Sequence, residues 1–184
     1  MIIVITGTVG AGKGFLSDYL ATKGFNHYSS RTYLSKILTE KGIPITRVNM
    51  IDLANEMRAH SPTYLTEKLL EMAEKNGGNS IIESARTVNE IKPIKDRDNS
   101  YLIAVDADPE IRFSRIKKRG SETDDLDFKE FLLEEMMEAE NEDPNKQNLK
   151  ACIAIADFKI LNNGTKEEFI SKVDEILEKI GWTR

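Results

Sequence analysis

Short apolar runs and longer segments of helical period alternate along the chain. IIVIT (2–6), SIIES (80–84), YLIAVD (101–106) and FKILN (158–162) are continuously apolar at their centres, the pattern of strands buried on both faces. FNHYS (25–29) is weaker and reads as an edge or near-edge strand. Between them GFLSDYLATKG, SRTYLSKILTEKG, NMIDLANEMR, TYLTEKLLEMAEKNG, TVNEIKPIK, PEIRFSRIKKRG, DFKEFLLEEMMEAENE, NKQNLKACIAIA and KEEFISKVDEILEKIG predict helices. Gly24, Gly42, Gly77 and Gly120 supply helix stops. Strand, helix, strand in succession forces parallel pairing, so the pattern predicts a three-layer α/β sheet of about five strands with helices on both faces. Two helical stretches, 44–77 and 120–144, interrupt the simple alternation and read as short insertions in a single domain spanning 1–184. Ligands of such sheets bind beyond the carboxyl ends of the strands.

One loop sits at that edge. GTVGAGKGF (7–15) follows the first strand and opens a helix, with Gly7 and Gly12 separated by four residues and Lys13 next. G-x4-G-K alone would arise by chance in about one chain in twenty of this length; its place between a buried strand and a helix is what makes it a phosphate loop. The glycines turn the backbone so that successive N–H groups point inward, the following helix adds its positive end, and Lys13 brings a mobile charge to the outer phosphates. Gly7, Thr8, Val9, Gly10, Ala11, Gly12, Lys13, Gly14 and Phe15 are therefore read as a phosphate-binding cradle. Gly14 stands where a Ser or Thr usually binds Mg²⁺. An ion here must rely on nucleotide oxygens, waters and a distant carboxylate.

GTVGAGKG resembles the GxPGxGKG loop of adenylate kinases and related nucleoside monophosphate kinases, which also place glycine after the lysine. Val9 replaces the family's proline and Phe15 its threonine. HYSSRTYLS (27–35) is similar to the family's HISTGDLLR, ESARTV (83–88) to its DGFPRT, and Arg115 with Arg119 to its lid-opening arginine pair. The matches keep the family's order over almost the whole chain, which also resembles small adenylate-kinase-related P-loop proteins of archaea and phages. The resemblance implies strand order 2-3-1-4-5 and ATP-dependent phosphoryl transfer to a nucleoside or deoxynucleoside monophosphate with Mg²⁺. The 44–77 insertion would then lie beside the acceptor and 120–144 would be the lid.

It also assigns roles. Lys13 would follow the transferred phosphate, Arg86 would meet the acceptor's phosphate, and Glu83 would hold magnesium through water. Arg115 would flank the donor base and Arg119 reach the donor phosphates; spaced by four, they share a helix face. Asn163 and Gly164 in LNNGT would offer backbone contacts to the donor base. On the acceptor side stand Ser30, Arg31 and Arg58, with Asn55 and Arg58 on one helix face. Ser35 replaces a family arginine, so that contact is lost or supplied by Arg31, Arg47 or Arg58. His27 reads as an edge-strand residue without a partner, and Phe128, Phe131, Leu132 and Met136 as lid core. No arginine occurs between Arg119 and Arg184.

Dephospho-coenzyme A kinase is an alternative, but no acidic pair follows the second strand; VDADP comes after the fourth. Shikimate- or gluconate-type kinases normally keep Ser or Thr after the lysine. From a different class, a nucleotide-binding regulator that hydrolyses or senses ATP fits the lid without arginines.

Composition narrows the partners. A formal net charge of -5, with no basic stripe, argues against duplex nucleic acid and leaves a small-molecule nucleotide as the partner. The apolar opening run is too short to span a bilayer. A single cysteine, Cys152, in an apolar helical pattern suits a buried position and a reducing compartment. The expectation is a cytoplasmic protein, monomer or homodimer, with no membrane partner.

Overall fold

A computed structural model describes residues 1–183 except 84, 121–125, 140, 142 and 144–145, and omits the side chain of residue 138. Part of the 120–144 insertion thus lies outside the described residues. The elements are β1 (Ile2–Gly7), α1 (Lys13–Thr22), β2 (Asn26–Ser29), α2 (Ser30–Glu40), α3 (Arg47–His60), α4 (Tyr64–Asn76), β3 (Ser80–Glu83), α5 (Val88–Lys95), β4 (Ser100–Asp106), α6 (Pro109–Arg119), α7 (Phe128–Ala139), α8 (Leu149–Ala154), β5 (Phe158–Leu161) and α9 (Lys166–Lys179).

The strands form one parallel sheet in the order β2-β3-β1-β4-β5, as the sequence reading expects, with β2 at an edge. Successive β1 side chains point to opposite faces, and both faces are covered. Ile3 and Ile5 pack with Leu16 and Leu20 of α1 and Phe169 and Val173 of α9. Val4 packs with Leu69 and Leu70 of α4, Ile91 and Ile94 of α5 and Cys152 of α8. Full burial of each such aliphatic side chain is worth about 1.5–3 kcal/mol, which is why the continuous apolar runs become central strands. A separate cluster of Leu34, Leu38, Leu53, Ala54 and Leu65 ties α2, α3 and α4 together beyond the β2 edge.

Local chemistry sets the helix ends. Thr46 accepts from the Asn49 N–H and starts α3 earlier than periodicity indicates, while reciprocal Thr87–Glu90 and Thr165–Glu168 capping boxes fix α5 and α9. α8 is shorter than NKQNLKACIAIA suggests. Asn148 caps it through Ala151 N–H and gives its own N–H to Arg86 O, so the chain before it is held out of the helix. Among the described residues no helix is long and apolar enough to cross a membrane.

Candidate active site

All strands run toward the same edge, where β1 passes into the glycine loop. Gly7 has φ 133° and lies beside Val105 of β4; a Cβ there would stand 1.9 Å from Val105 O, so no side chain fits. Gly10, at φ 79°, is pressed in the same way against the Arg112 backbone, 2.7 Å from a Cβ position to Arg112 O. Such crowding is what lets the backbone itself face a phosphate. Lys13 opens α1 and its Nζ donates to Gly7 O at 2.9 Å and Thr8 O at 2.7 Å, over the loop's own turn.

Side chains from neighbouring elements hold the loop. Thr8 Oγ1 donates to Asp106 Oδ1 at 2.6 Å, at the end of β4. Arg112 Nε donates to Ala107 O at 2.6 Å and its NH1 to Val9 O at 3.4 Å. Arg115 donates to Ala11 O at 3.4 Å and Asn162 O at 3.0 Å, and Asn162 Nδ2 donates to Ala11 O at 2.7 Å. Arg112, Arg115 and Arg119 lie three and four residues apart on α6 and so share the face turned to the loop.

Glu83 ends β3 with its side chain 14% exposed. His27 Nε2, from the adjacent β2, lies 2.7 Å from Glu83 Oε2, and Ser17 Oγ is 3.3 Å from the same oxygen. Burial works to raise the Glu83 pKa, but the hydrogen bond and charge of His27, the Lys13 charge and the Ser17 hydrogen bond outweigh it and hold the carboxyl below its ordinary range. An ionised carboxylate beside Lys13 and the open space over Gly14 fits a hydrated cation held mainly by nucleotide. Among the described residues no group of three or more His, Cys, Asp or Glu could hold a metal alone.

The cleft that includes Glu83 has a volume of about 520 Å³ and is lined by Val9, Gly10 and Gly12 to Phe15 of the loop and by Ser30, Arg31, Arg47, Arg58 and Arg86, with Arg115 and Arg119. Met50, Ile51, Leu34 and Leu65 supply an apolar wall. Arg86 is set by its surroundings. Buried Glu90 accepts from Arg86 N–H at 2.8 Å and Thr87 N–H at 3.2 Å, and Arg86 NH1 donates to Gln147 Oε1 at 2.8 Å. Glu90 also accepts from Arg58 Nε at 2.8 Å, and Arg58 NH1 donates to Asn55 Oδ1 at 3.1 Å. Helix α7 presents Glu134 to Arg47 and Glu135 to Arg112.

The structure thus gathers Lys13, Glu83, Arg86, Arg115, Arg119, Ser30, Arg31 and Arg58 about one cleft. Several expectations need correction. Asn163 and Gly164 do not line it: Asn163 Oδ1 accepts from Asp108 N–H at 2.9 Å, and Gly164 is packed under Glu168 at the start of α9. Neighbouring Asn162 touches the loop instead. His27 has a carboxylate partner, which β-sheet order delivers. Met136 is 71% exposed, whereas Phe131 is 1% exposed and packs with Phe113 and Phe128, so only part of the expected lid stripe is core. Arg58 is as much a buried structural cation as a ligand contact. Phe15 packs on Phe169 with ring centroids 5.7 Å apart, which explains an aromatic where a hydroxyl would be expected. Arg112, Asp106, Asn162, Glu90 and Gln147 were not read from the sequence; only Arg112 carried a signal, its spacing to Arg115 and Arg119. Cys152 is fully buried, and burial, then the Glu90 charge, push its thiol up to about 12, leaving it unreactive.

The parallel order, the glycine loop at the carboxyl edge and the cleft beside it define a P-loop nucleotide-binding protein of kinase fold. The chain belongs to the AAA domain family, whose model matches residues 3–143, and to the UPF0200 proteins; that of Sulfurisphaera tokodaii is 32% identical over 183 residues, covering 97% of each chain. Among solved structures, shikimate kinase from Bacteroides thetaiotaomicron superposes with a TM-score of 0.59 at 14% identity, covering 99% of each chain. Deoxyadenosine kinase from M. mycoides with bound dATP gives 0.55 at 18% identity, covering 99% of this chain and 100% of that one. At these identities the likeness is one of fold, and it reaches P-loop kinases more broadly than the nucleoside monophosphate kinases that the loop resembles.

Proposed function

We propose that the protein transfers the γ-phosphoryl group of ATP to a small phosphorylated acceptor, a nucleoside or deoxynucleoside monophosphate. The observation that carries this reading is the single cleft with a phosphate loop at one end and arginines at the other, with Glu83 between. An acceptor phosphate oxygen would form the new bond to the γ-phosphorus as the bond to the bridging β-γ oxygen breaks and ADP leaves. Lys13 would move with the transferred group, Arg119 would balance charge on the donor, and Arg86, aimed by Glu90 and Gln147, would hold the acceptor's phosphate in line. Arg115 would keep the loop in shape. Mg²⁺, when bound, supplies charge neutralisation on the outer phosphates; Glu83, oriented by His27 and Ser17, would reach its water shell.

Purified protein incubated with Mg·ATP and a panel of nucleoside and deoxynucleoside monophosphates and dephospho-coenzyme A tests this. ADP formation dependent on a monophosphate is expected, and Lys13→Ala should lower it by at least about 10²-fold with the fold intact. ADP release that no acceptor stimulates would instead support an ATP-hydrolysing regulator, a reading favoured by the glutamates, where arginines would serve, on α7.

A further inference from the structure

Four arginines line the acceptor end, and their partners differ. Arg58 is committed to Glu90 in a pair whose side chains are 4% and 3% exposed. Arg86 is braced by Gln147. Arg47, the first residue of α3, instead pairs with Glu134 of α7, whose side chain is 42% exposed. Glu134 belongs to another segment, and its Oε2, buried against Arg47, makes no hydrogen bond of good geometry, so the pair is held by charge and is exchangeable. The neighbouring Glu135 binds Arg112 at 2.9 Å through NH2, and Arg112 NH1 reaches Val9 O in the phosphate loop. Adjacent glutamates on one helix therefore grip the acceptor side through Arg47 and the donor loop through Arg112.

We infer that Arg47 is a specificity-determining residue for the acceptor's anionic group, and that Glu134 is its internal competitor, displaced by a phosphate dianion and not by an uncharged acceptor. The inference rests on the kinase reading for the identity of that anion. A planar carboxylate and a tetrahedral phosphate can each turn two oxygens to the guanidinium, but the phosphate carries more charge and the cleft around Arg47 holds further cations in Arg31 and Arg86. Exchange removes the Arg47–Glu134 tie, while Glu135 keeps its pair with Arg112 on the loop side. A nucleoside lacking the phosphate leaves the Arg47–Glu134 pair intact.

Calorimetric titration of AMP, CMP, GMP and UMP, each beside its nucleoside, into protein saturated with Mg²⁺ and a non-hydrolysable ATP analogue tests this. Glu134→Gln should tighten binding of the preferred monophosphate about 3- to 10-fold and leave its nucleoside unchanged. Arg47→Gln should weaken the monophosphate by about 10-fold or more and cancel the effect of Glu134→Gln in the double variant. Because the Glu134 side chain is 42% exposed and Gln keeps its size, its variant is expected to fold even where the Arg47 variant does not. Equal monophosphate affinity in wild type and Glu134→Gln, an equal shift for the nucleoside, or no binding of any monophosphate overturns the inference. Tighter binding without ADP formation would keep it and sink the kinase reading; normal ADP formation with unchanged affinity would do the reverse.

Discussion

At the donor end the loop is fixed by backbone crowding. Gly7 and Gly10 touch Val105 and Arg112 main chain, and the loop's carbonyls are tied to α6 and to Asn162. At the other end the same sheet edge is furnished with arginines that rest on polar partners, Arg58 on Glu90, Arg86 on Gln147 and Arg47 on Glu134. On the proposed reading, the donor half presents backbone N–H groups to a ligand common to many enzymes, so its shape is set by steric exclusion. The acceptor half would have to tell one small anion from another, and charges with protein partners could do that by exchange. Steric constraint tolerates almost no substitution; ion pairing tolerates change in proportion to its exposure.

The sharpest way to break the contrast is at Gly7. Gly7→Ala forces a Cβ against Val105 O and should cost about 4 kcal/mol or more, lowering the melting temperature by about 10 °C with loss of ATP binding. A melting curve within a few degrees of wild type would show that the loop yields. On the acceptor side, Glu90→Ala strands buried Arg58 and removes the anchor of Arg86 N–H; a loss of about 3–5 kcal/mol in denaturant unfolding is expected, with weaker acceptor binding and unchanged ATP affinity. Thr8→Val, which deletes only the bond to Asp106, should cost about 1 kcal/mol and raise the KM for ATP a few-fold.

The smallest effect concerns pH. Because the folded Glu83 pKa lies below its ordinary value of 4.5, the unfolded chain takes up this proton first on acidification. The stabilisation is therefore complete at neutral pH and is lost as pH falls below about 4.5 through the lower folded value. Urea midpoints of wild type and Glu83→Gln should converge between pH 7 and pH 3; a constant gap would mean that Glu83 contributes through packing alone.

Much of the fold could be read along the chain, since each continuous apolar run had only one way to be buried, under helices on both sides. The misjudged boundaries, early at α3 and late at α8, came from single polar side chains, Thr46 and Asn148, whose caps leave no trace in periodicity. Within the site, Lys13 and the glycines were legible because their spacing is the mechanism. Asn163 and Gly164 lie outside the cleft lining, and the bond from Asn162 beside them to Ala11 O, which holds the loop, joins residues 151 apart and leaves no local trace.

By itself the sequence determined that strand and helix alternate and that a phosphate loop opens the chain, because each of these depends on residues a few positions apart. Tertiary structure decided which charges meet. His27 and Glu83 are 56 residues apart and adjacent only because β2 pairs with β3, and Arg58 and Glu90, 32 apart, meet because α4 packs against both α3 and α5. Arginine looks the same in a sequence whether it is committed, braced or exchangeable. Burial and the identity of its partner separate Arg58 from Arg47, and those exist only once the sheet has assembled.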